Sequence, residues 1–251
     1  MPVDLKLWSA TFNPGGLPAW PCPKCGDGRL SVSEKDMKII EPFYSKAAHN
    51  HEAWEHDWVI ERFLAVMKCS DPKCGEIVIV SGDTETVEDY DDELGHVASS
   101  QLRPQTVFPA PHIINIPKET PREVAKELKL AFQLFWSDLG ASATRLRTSA
   151  ERLLDDFGIA KTRIDMKRKK RVFITLASRI DIFKKKYPEH AESLEALRHV
   201  GNLGTHSNVS RQSVLAGFEV YEEGLAEIYG KRSKKVAKLR KKLIKGRGRL
   251  K

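Results

Sequence analysis

Residues 197–206 read Leu197-Arg198-His199-Val200-Gly201-Asn202-Leu203-Gly204-Thr205-His206 and lie near the end of a long stretch with helical periodicity. Each residue of a helix turns by about 100°, so Arg198 and Asn202 share one face, which His206 joins if the helix continues that far. Gly201 and Gly204 add no side-chain bulk, which favours the close approach of another backbone or a substrate. The stretch therefore predicts a contact or reaction surface that carries a guanidinium, a carboxamide and an imidazole.

A second interpretation of the same stretch is purely structural. Gly204 is then the glycine that ends the helix, His206 lies in the following turn, and Asn202 bonds the exposed carbonyls of the last turn. Spacing alone does not decide between the two interpretations, because an arginine and a histidine on one helix are a weak motif.

The positive charge of the chain is concentrated at its carboxy-terminal end. The 251 residues carry a net charge of +8, yet residues 231–251 hold 12 of the 42 basic residues and no acidic one, so residues 1–230 have a net charge of −4. Such a tail either attracts phosphate-rich partners or keeps the protein in solution. No apolar run reaches about 18 residues and the first residues are charged, so we expect a cytoplasmic protein that does not enter a membrane.

Two short segments contain all four cysteines of the chain. Each is a pair of cysteines followed directly by a glycine, with two intervening residues in the first pair and four in the second, and this spacing is typical of zinc knuckles. The four thiolates would complete a tetrahedral structural Zn²⁺ site, so the histidines at positions 49, 51 and 56 are expected on the surface. The predicted ligands are Cys22, Cys25, Cys69 and Cys74.

The segments around the cysteines have the composition of short strands, at residues 29–32, 58–68 and 76–80. We therefore predict that residues 1–116 form a small β-rich zinc ribbon that depends on its metal for folding. Residues 81–95 are rich in acids and are expected to form a solvated loop. An extended, proline-rich connector then leads to a domain boundary near Ile116; its prolines are Pro104, Pro109, Pro111, Pro117 and Pro121.

From residue 117 to residue 230 the apolar residues repeat with the period of helices. Five amphipathic helices with short connections predict an up-and-down helical bundle, so the fold class expected for the whole chain is α+β. The third of these helices is expected to contain Val172, Leu176, Ile180 and Phe183, and Glu151 of the second is expected to pair with Arg147 one turn away.

Residues 161–171 contain seven basic residues and form a candidate contact for nucleic acid. No aromatic residue lies among them, so the expected contact is to the phosphate backbone rather than to bases. An exposed loop whose charge favours solubility is the alternative. The candidate contact residues in this segment and in the tail are Lys167, Arg168, Lys169, Lys170, Arg171, Lys234, Lys235, Arg240, Lys241 and Lys242.

Four motifs follow one another along the chain: the two knuckles, the connector, the segment Glu151-Arg152-Leu153-Leu154-Asp155-Asp156-Phe157-Gly158 and the stretch 197–206. Their order resembles that of the domain-of-unknown-function 4145 family. This family is similar to the HEPN superfamily of helical-bundle ribonucleases. The resemblance implies a homodimer that cleaves RNA without a catalytic metal. Arg198 would stabilise the phosphorane, His206 would be the general acid or base, and Asn202 would hold the imidazole or a phosphate oxygen.

The chain departs from the superfamily in one respect: seven residues separate Arg198 from His206, where active enzymes usually have four to six. The first hypothesis is an HEPN-like RNA-binding protein that acts as a metal-independent endoribonuclease in defence or stress, on RNA rather than DNA. The alternative is a non-catalytic nucleic-acid-binding sensor or interaction module. A third is a bundle that mainly contacts a protein partner in a defence system.

Overall fold

The computed structural model describes residues 4–91, 95–206 and 209–245. Within these ranges the side chains of residues 88–91, 95–98, 205, 206, 231–234, 237, 240 and 241 are not described. The chain divides into two compact units. The first, called the sheet unit below, consists of Asp4–His112 and Phe132–Asp138, and the second, called the helical unit, consists of Ile113–Ala131 and the chain from Leu139 onward.

The sheet unit is built on a five-stranded antiparallel sheet in which both β1 and β2 pair with β3, and β3, β4 and β5 follow one another. A short helix, α1, follows β2. The elements are β1 (Leu30–Ser31), β2 (Met37–Ile40), α1 (Phe43–Ala48), β3 (Arg62–Cys69), β4 (Ile77–Asp91) and β5 (Gly95–Phe108). The three strands expected from the sequence are thus confirmed as β1, β3 and the start of β4.

Alternation along β3 places Phe63, Ala65 and Met67 on the buried face of the sheet. An aromatic cluster completes the core of this unit: Trp20 is fully buried and its ring centroid lies 5.7 Å from that of Phe12. The packing of large rings adds apolar burial to the core beside the sheet.

The acidic segment 81–95 is not the solvated loop that we expected, because β4 runs through it to Asp91. Two features stabilise the strand. Threonine and valine, which favour strands, alternate with the acids. In addition, Arg103 of β5 donates from Nε and Nη2 to the two carboxylate oxygens of Asp83, at 2.9 and 2.7 Å. Pro104, which was assigned to the connector, lies in β5 opposite Gly82, where β5 is the edge strand that tolerates a proline.

The helical unit contains long helices whose apolar residues face one another. Leu128, Leu146, Leu153 and Phe218 are fully buried. The helices are α2 (Arg122–Leu134), of which residues 132–134 belong to the sheet unit, α3 (Leu139–Asp156), α4 (Leu176–Lys184), α5 (Pro188–His206), α6 (Arg211–Tyr229) and α7 (Lys231–Lys245). The α+β class is therefore confirmed as an antiparallel sheet followed by helices, whereas the assignment of these helices to the HEPN class stays a prediction.

Two interpretations of this half are corrected. The third helix begins at Leu176 and not near Val172, because Thr175 caps it by accepting a hydrogen bond from the backbone N–H of Ser178. The basic segment 161–171, for which an exposed loop was the alternative interpretation, forms most of a two-stranded antiparallel hairpin of β6 (Thr162–Asp165) and β7 (Lys170–Phe173). The basic tail, for which the sequence interpretation gave no secondary structure, is helical as far as Lys245.

Among the residues that the structure describes, none of the helices is both long enough and apolar enough to cross a membrane.

Candidate functional site

The first cysteine knuckle is a tight turn between residues 22 and 28. The backbone N–H of Gly26 donates to the carbonyl oxygen of Cys22 at 2.9 Å, and the φ of Gly26 is +77°, which a residue with a side chain rarely adopts. The backbone N–H of Gly28 then donates to Cys25 Sγ at 3.3 Å. The turn therefore brings both sulfurs to one side and provides a backbone donor for a thiolate.

The second knuckle begins at the end of β3 and has the same design. Gly75 follows Cys74 with a φ of +61°, and the backbone N–H of Asp71 donates to Cys69 Sγ at 3.4 Å. The two knuckles are joined by a reciprocal pair of hydrogen bonds between Arg29 and Ser70, at 2.8 and 2.9 Å. Pairing in the sheet thus fixes the position of one cysteine pair against the other.

The four sulfur atoms of Cys22, Cys25, Cys69 and Cys74 lie within 4.8 Å of one another. Two of the separations, from Cys22 to Cys74 and from Cys25 to Cys69, are 3.7 Å. A zinc–sulfur bond of about 2.3 Å places tetrahedral ligands about 3.8 Å apart, so the observed spacing fits a single tetrahedral ion. The structure therefore confirms a possible metal-binding site made of the four predicted residues.

The backbone around the cluster gives its thiols different acidities. The hydrogen bond from the Gly28 backbone N–H lowers the pKa of Cys25 to about 7, whereas burial raises the pKa of Cys69 to about 12. Cys25 therefore ionises before Cys69, and a bound dication would favour the thiolate form of its ligands.

The histidines between the knuckles contact other groups. His49 and His56 lie against the Trp54 ring, with ring centroids 4.8 and 4.9 Å away, and His51 lies 5.3 Å from the Trp58 ring. His49 Nε2 is also 2.9 Å from a carboxylate oxygen of Glu41. In the described part of the chain these histidines do not join the cysteine cluster.

The stretch 197–206 lies entirely within α5, so Gly204 does not end the helix. A Cβ atom on Gly204 would lie 2.6 Å from the Gly140 carbonyl oxygen and 2.9 Å from the Ala143 Cβ, both in α3. A Cβ atom on Gly201 would overlap the side-chain stem of Arg147. The two glycines therefore accommodate the neighbouring helix and not a substrate.

The polar residues of the stretch have partners inside the helical unit. The Arg198 guanidinium donates from Nε to both carboxylate oxygens of Glu195, at 3.1 Å each, and this pair raises the pKa of Arg198 and lowers that of Glu195. Asn202 Oδ1 accepts a hydrogen bond of 2.7 Å from Arg147 Nη1. The helix includes His206, but its side chain lies outside the described residues, so the convergence of guanidinium, carboxamide and imidazole stays a prediction.

The expected pairing of Glu151 with Arg147 is confirmed at 3.5 Å. A polar chain thus runs from Glu151 through Arg147 to Asn202, and it connects α3 to α5 beside the two glycines. The structure places Arg147 next to the signature, although the sequence interpretation gave it no role there.

The basic candidates lie on two elements. Lys167, Arg168 and Lys169 are exposed in the turn of the hairpin, and Lys170 and Arg171 are exposed at the start of β7. Of the tail candidates, Lys235 and Lys242 are exposed on α7, whereas the side chains of Lys234, Arg240 and Lys241 lie outside the described residues. The sequence interpretation placed Phe173 inside the third helix, whereas the residue lies in β7. The β-forming pair Val172-Phe173 after a polar turn was the available signal.

Residues 129–242 match the model of the family described as Domain of unknown function (DUF4145). This helical part of the chain is similar to the DUF4145 family. The DUF4145 match includes the stretch 197–206 and the hairpin. Residues 10–105 match a second model, Domain of unknown function (DUF8608), which includes all four cysteines, so the knuckles lie outside the DUF4145 match although the resemblance drawn from the sequence included them. No curated protein and no solved structure shows significant similarity to the chain.

Proposed function

We propose that the protein binds nucleic acid through the hairpin β6–β7 and helix α7, and that a structural Zn²⁺ stabilises the sheet unit. One observation carries the proposal: in the described contacts, six cations of the hairpin have no carboxylate partner. They are Arg163, Lys167, Arg168, Lys169, Lys170 and Arg171. Unpaired cations attract phosphates and release the counterions that the phosphates hold.

The framework of the hairpin supports this function over that of a merely solubilising loop. Asp165 Oδ1 accepts hydrogen bonds from the backbone N–H groups of Lys167 and Arg168, at 2.9 and 3.2 Å, so the turn has a defined geometry. Lys169 adopts a φ of +51°, which a lysine takes up only when the turn imposes it. The backbone that carries these cations therefore has a defined conformation.

The preference for RNA over DNA rests on the resemblance to the HEPN superfamily, as do the homodimer and a cytoplasmic role in defence or stress. Zinc is the metal that four thiolates in tetrahedral geometry best fit. Cys22, Cys25, Cys69 and Cys74 would hold the ion, which would supply folding free energy to the sheet unit and no reaction chemistry.

Binding of a fluorescently labelled RNA, followed by anisotropy, tests the proposal. The variant with Arg168, Lys169 and Lys170 replaced by alanine is expected to bind at least tenfold more weakly, because three phosphate contacts are removed. The matched control replaces Lys184, Lys185 and Lys186, which are three exposed lysines of the same unit, and it should bind like the parent protein. Equal losses in both variants would show that only net charge matters.

A metal-independent endoribonuclease is the second candidate, and the continuation of α5 to His206 favours it. A continuous helix puts Arg198, Asn202 and His206 at spacings of four residues and therefore on one face. Cleavage of RNA in the presence of EDTA should then be lost in Arg198→Ala and in His206→Ala but retained in His199→Ala, the exposed histidine beside Arg198. Cleavage that survives in either of the first two variants would exclude this candidate.

A further inference from the structure

We infer that one face of the hairpin stacks on the bases of single-stranded nucleic acid, with Phe173 as the stacking residue; this inference rests on the nucleic-acid binding proposed above. In the register of the hairpin, Phe173 lies opposite Thr162 and Arg171 lies opposite Ile164. Residues paired directly across two strands share a face, and so do residues two apart along a strand. Ile164, Arg171 and Phe173 therefore form one surface, called the stacking face below.

The stacking face is open to solvent. The exposed fraction is 86% for Phe173 and 65% for Ile164, and Met166 in the adjoining turn is 84% exposed. A two-stranded hairpin buries little of its own surface, so exposed apolar residues on it lower its stability in water unless a ligand covers them. The combination of an aromatic ring, aliphatic side chains and cations points to a ligand that has both flat apolar surfaces and negative charge.

Contacts at the base hold the hairpin in place. The backbone N–H of Ile174 donates to the Lys161 carbonyl oxygen at 2.8 Å. The Arg179 guanidinium, which is buried, donates to Asp155 at 2.7 Å and to the Ile159 carbonyl oxygen at 3.0 Å. The stacking face is thus presented by a fixed element rather than by a mobile loop.

Single-stranded nucleic acid meets both requirements in every nucleotide. Its bases expose flat faces that stack on aromatic rings and on arginine guanidinium planes, while its phosphates meet cations along the strand. A duplex hides these faces within its own stack, and the deep, narrow major groove of an RNA duplex excludes side chains. Phe173 beside Arg171 therefore favours single strands over duplexes.

Charge argues against a second copy of the chain as the occupant. Two stacking faces brought together would also bring together two copies of Arg171 and of the basic turn, residues 167–169, and like charges repel at such distances. Charge therefore favours an anionic ligand for this face.

The test compares three probes: a short oligouridine RNA, the matching oligothymidine DNA and an RNA duplex of the same length. Phe173→Ala is expected to weaken binding of the single-stranded RNA by roughly 5- to 150-fold, the range typical for loss of one stacking residue. The dependence of this affinity on salt should stay the same, because no phosphate contact is removed. Phe173→Trp should restore binding, since the larger ring also stacks.

The matched control is Phe43→Ala, which removes a phenylalanine that is 85% exposed in the sheet unit, and it should bind like the parent protein. A parallel loss on the DNA probe also supports the inference, because stacking does not use the 2′-hydroxyl. A Phe173→Ala variant that binds single strands normally, or that loses self-association instead, would overturn the inference while the proposed function stands. A parent protein that binds none of the three probes would remove both.

Discussion

Replacement of Gly204 by alanine is expected to destabilise the helical unit, although the same change usually stabilises a helix. In a helix interior, alanine stabilises the folded state by roughly 0.5–1 kcal/mol relative to glycine, because glycine loses more backbone freedom on folding. At position 204 the new Cβ would lie 2.6 Å from the Gly140 carbonyl oxygen, about 0.8 Å short of ordinary van der Waals contact. That oxygen belongs to the backbone of α3, so one helix has to move.

The cost of overpacking and the gain in helix propensity differ enough in size to decide the sign of the change in stability. Overpacking of this kind costs about 1–3 kcal/mol, which exceeds the gain in helix propensity. The expected net change is a loss of about 1 kcal/mol, equivalent to a fall of roughly 2–4 °C in Tm. Gly224→Ala is the matched control, because its Cβ would meet only Ser193 at 3.4 Å, an ordinary contact. That variant should be neutral or gain up to about 1 kcal/mol.

Urea unfolding followed by far-ultraviolet circular dichroism measures both variants, because this signal is dominated by the helices. All five tryptophans lie in the sheet unit, so tryptophan fluorescence recorded in parallel shows whether that unit unfolds separately. A Gly204→Ala protein as stable as Gly224→Ala would refute the conclusion that the glycines of the signature exist to admit α3.

Two further predictions concern the cysteine cluster and the base of the hairpin. Cys69→Ser should abolish the binding of stoichiometric zinc, measured by elemental analysis. It should also change the tryptophan fluorescence and leave the far-ultraviolet circular dichroism of the helices unchanged. Zinc retained at one equivalent would contradict the four-cysteine site. Burial raises the pKa of Asp155, but the hydrogen bonds and charges of Lys161 and Arg179 lower it by more, so the folded pKa lies below the unfolded value of 3.8. Asp155→Asn should therefore cost roughly 1–3 kcal/mol at neutral pH, and its difference from the parent protein in urea unfolding should shrink as pH falls below 3.8; a difference that grows there would be contrary to this pairing.

The sequence predicted best those features that depend on local spacing. A cysteine pair closed by glycine forms the same turn wherever it occurs, so Cys22 and Cys25 could be assigned before any tertiary contact was known. The long amphipathic helices were predicted for the same reason, since an apolar stripe has one favourable way to be buried. Gly158, which ends α3 with a φ of +71°, is a third local signal of this kind.

Features that depend on a partner strand or helix were missed. Val172 fits the apolar period of the following helix as well as it fits a strand, and only the pairing of Arg163 with Val172 in the hairpin decides between them. The acidic segment of β4 was misjudged because the charge of Arg103, 20 residues later, is not visible in a local window. The function of Gly201 and Gly204 likewise depends on the position of α3, and the spacing of residues within α5 does not reveal that position.

The salt dependence of RNA binding by the full chain tests most directly whether the hairpin is a nucleic-acid contact. Each phosphate contact on a single strand contributes about −0.7 to the slope of log K against log salt, so six engaged cations predict a slope of about −4 from the hairpin alone. Replacement of Arg168, Lys169 and Lys170 by alanine should make that slope about 2 less steep. A slope near zero, or one that this replacement leaves unchanged, would contradict the account.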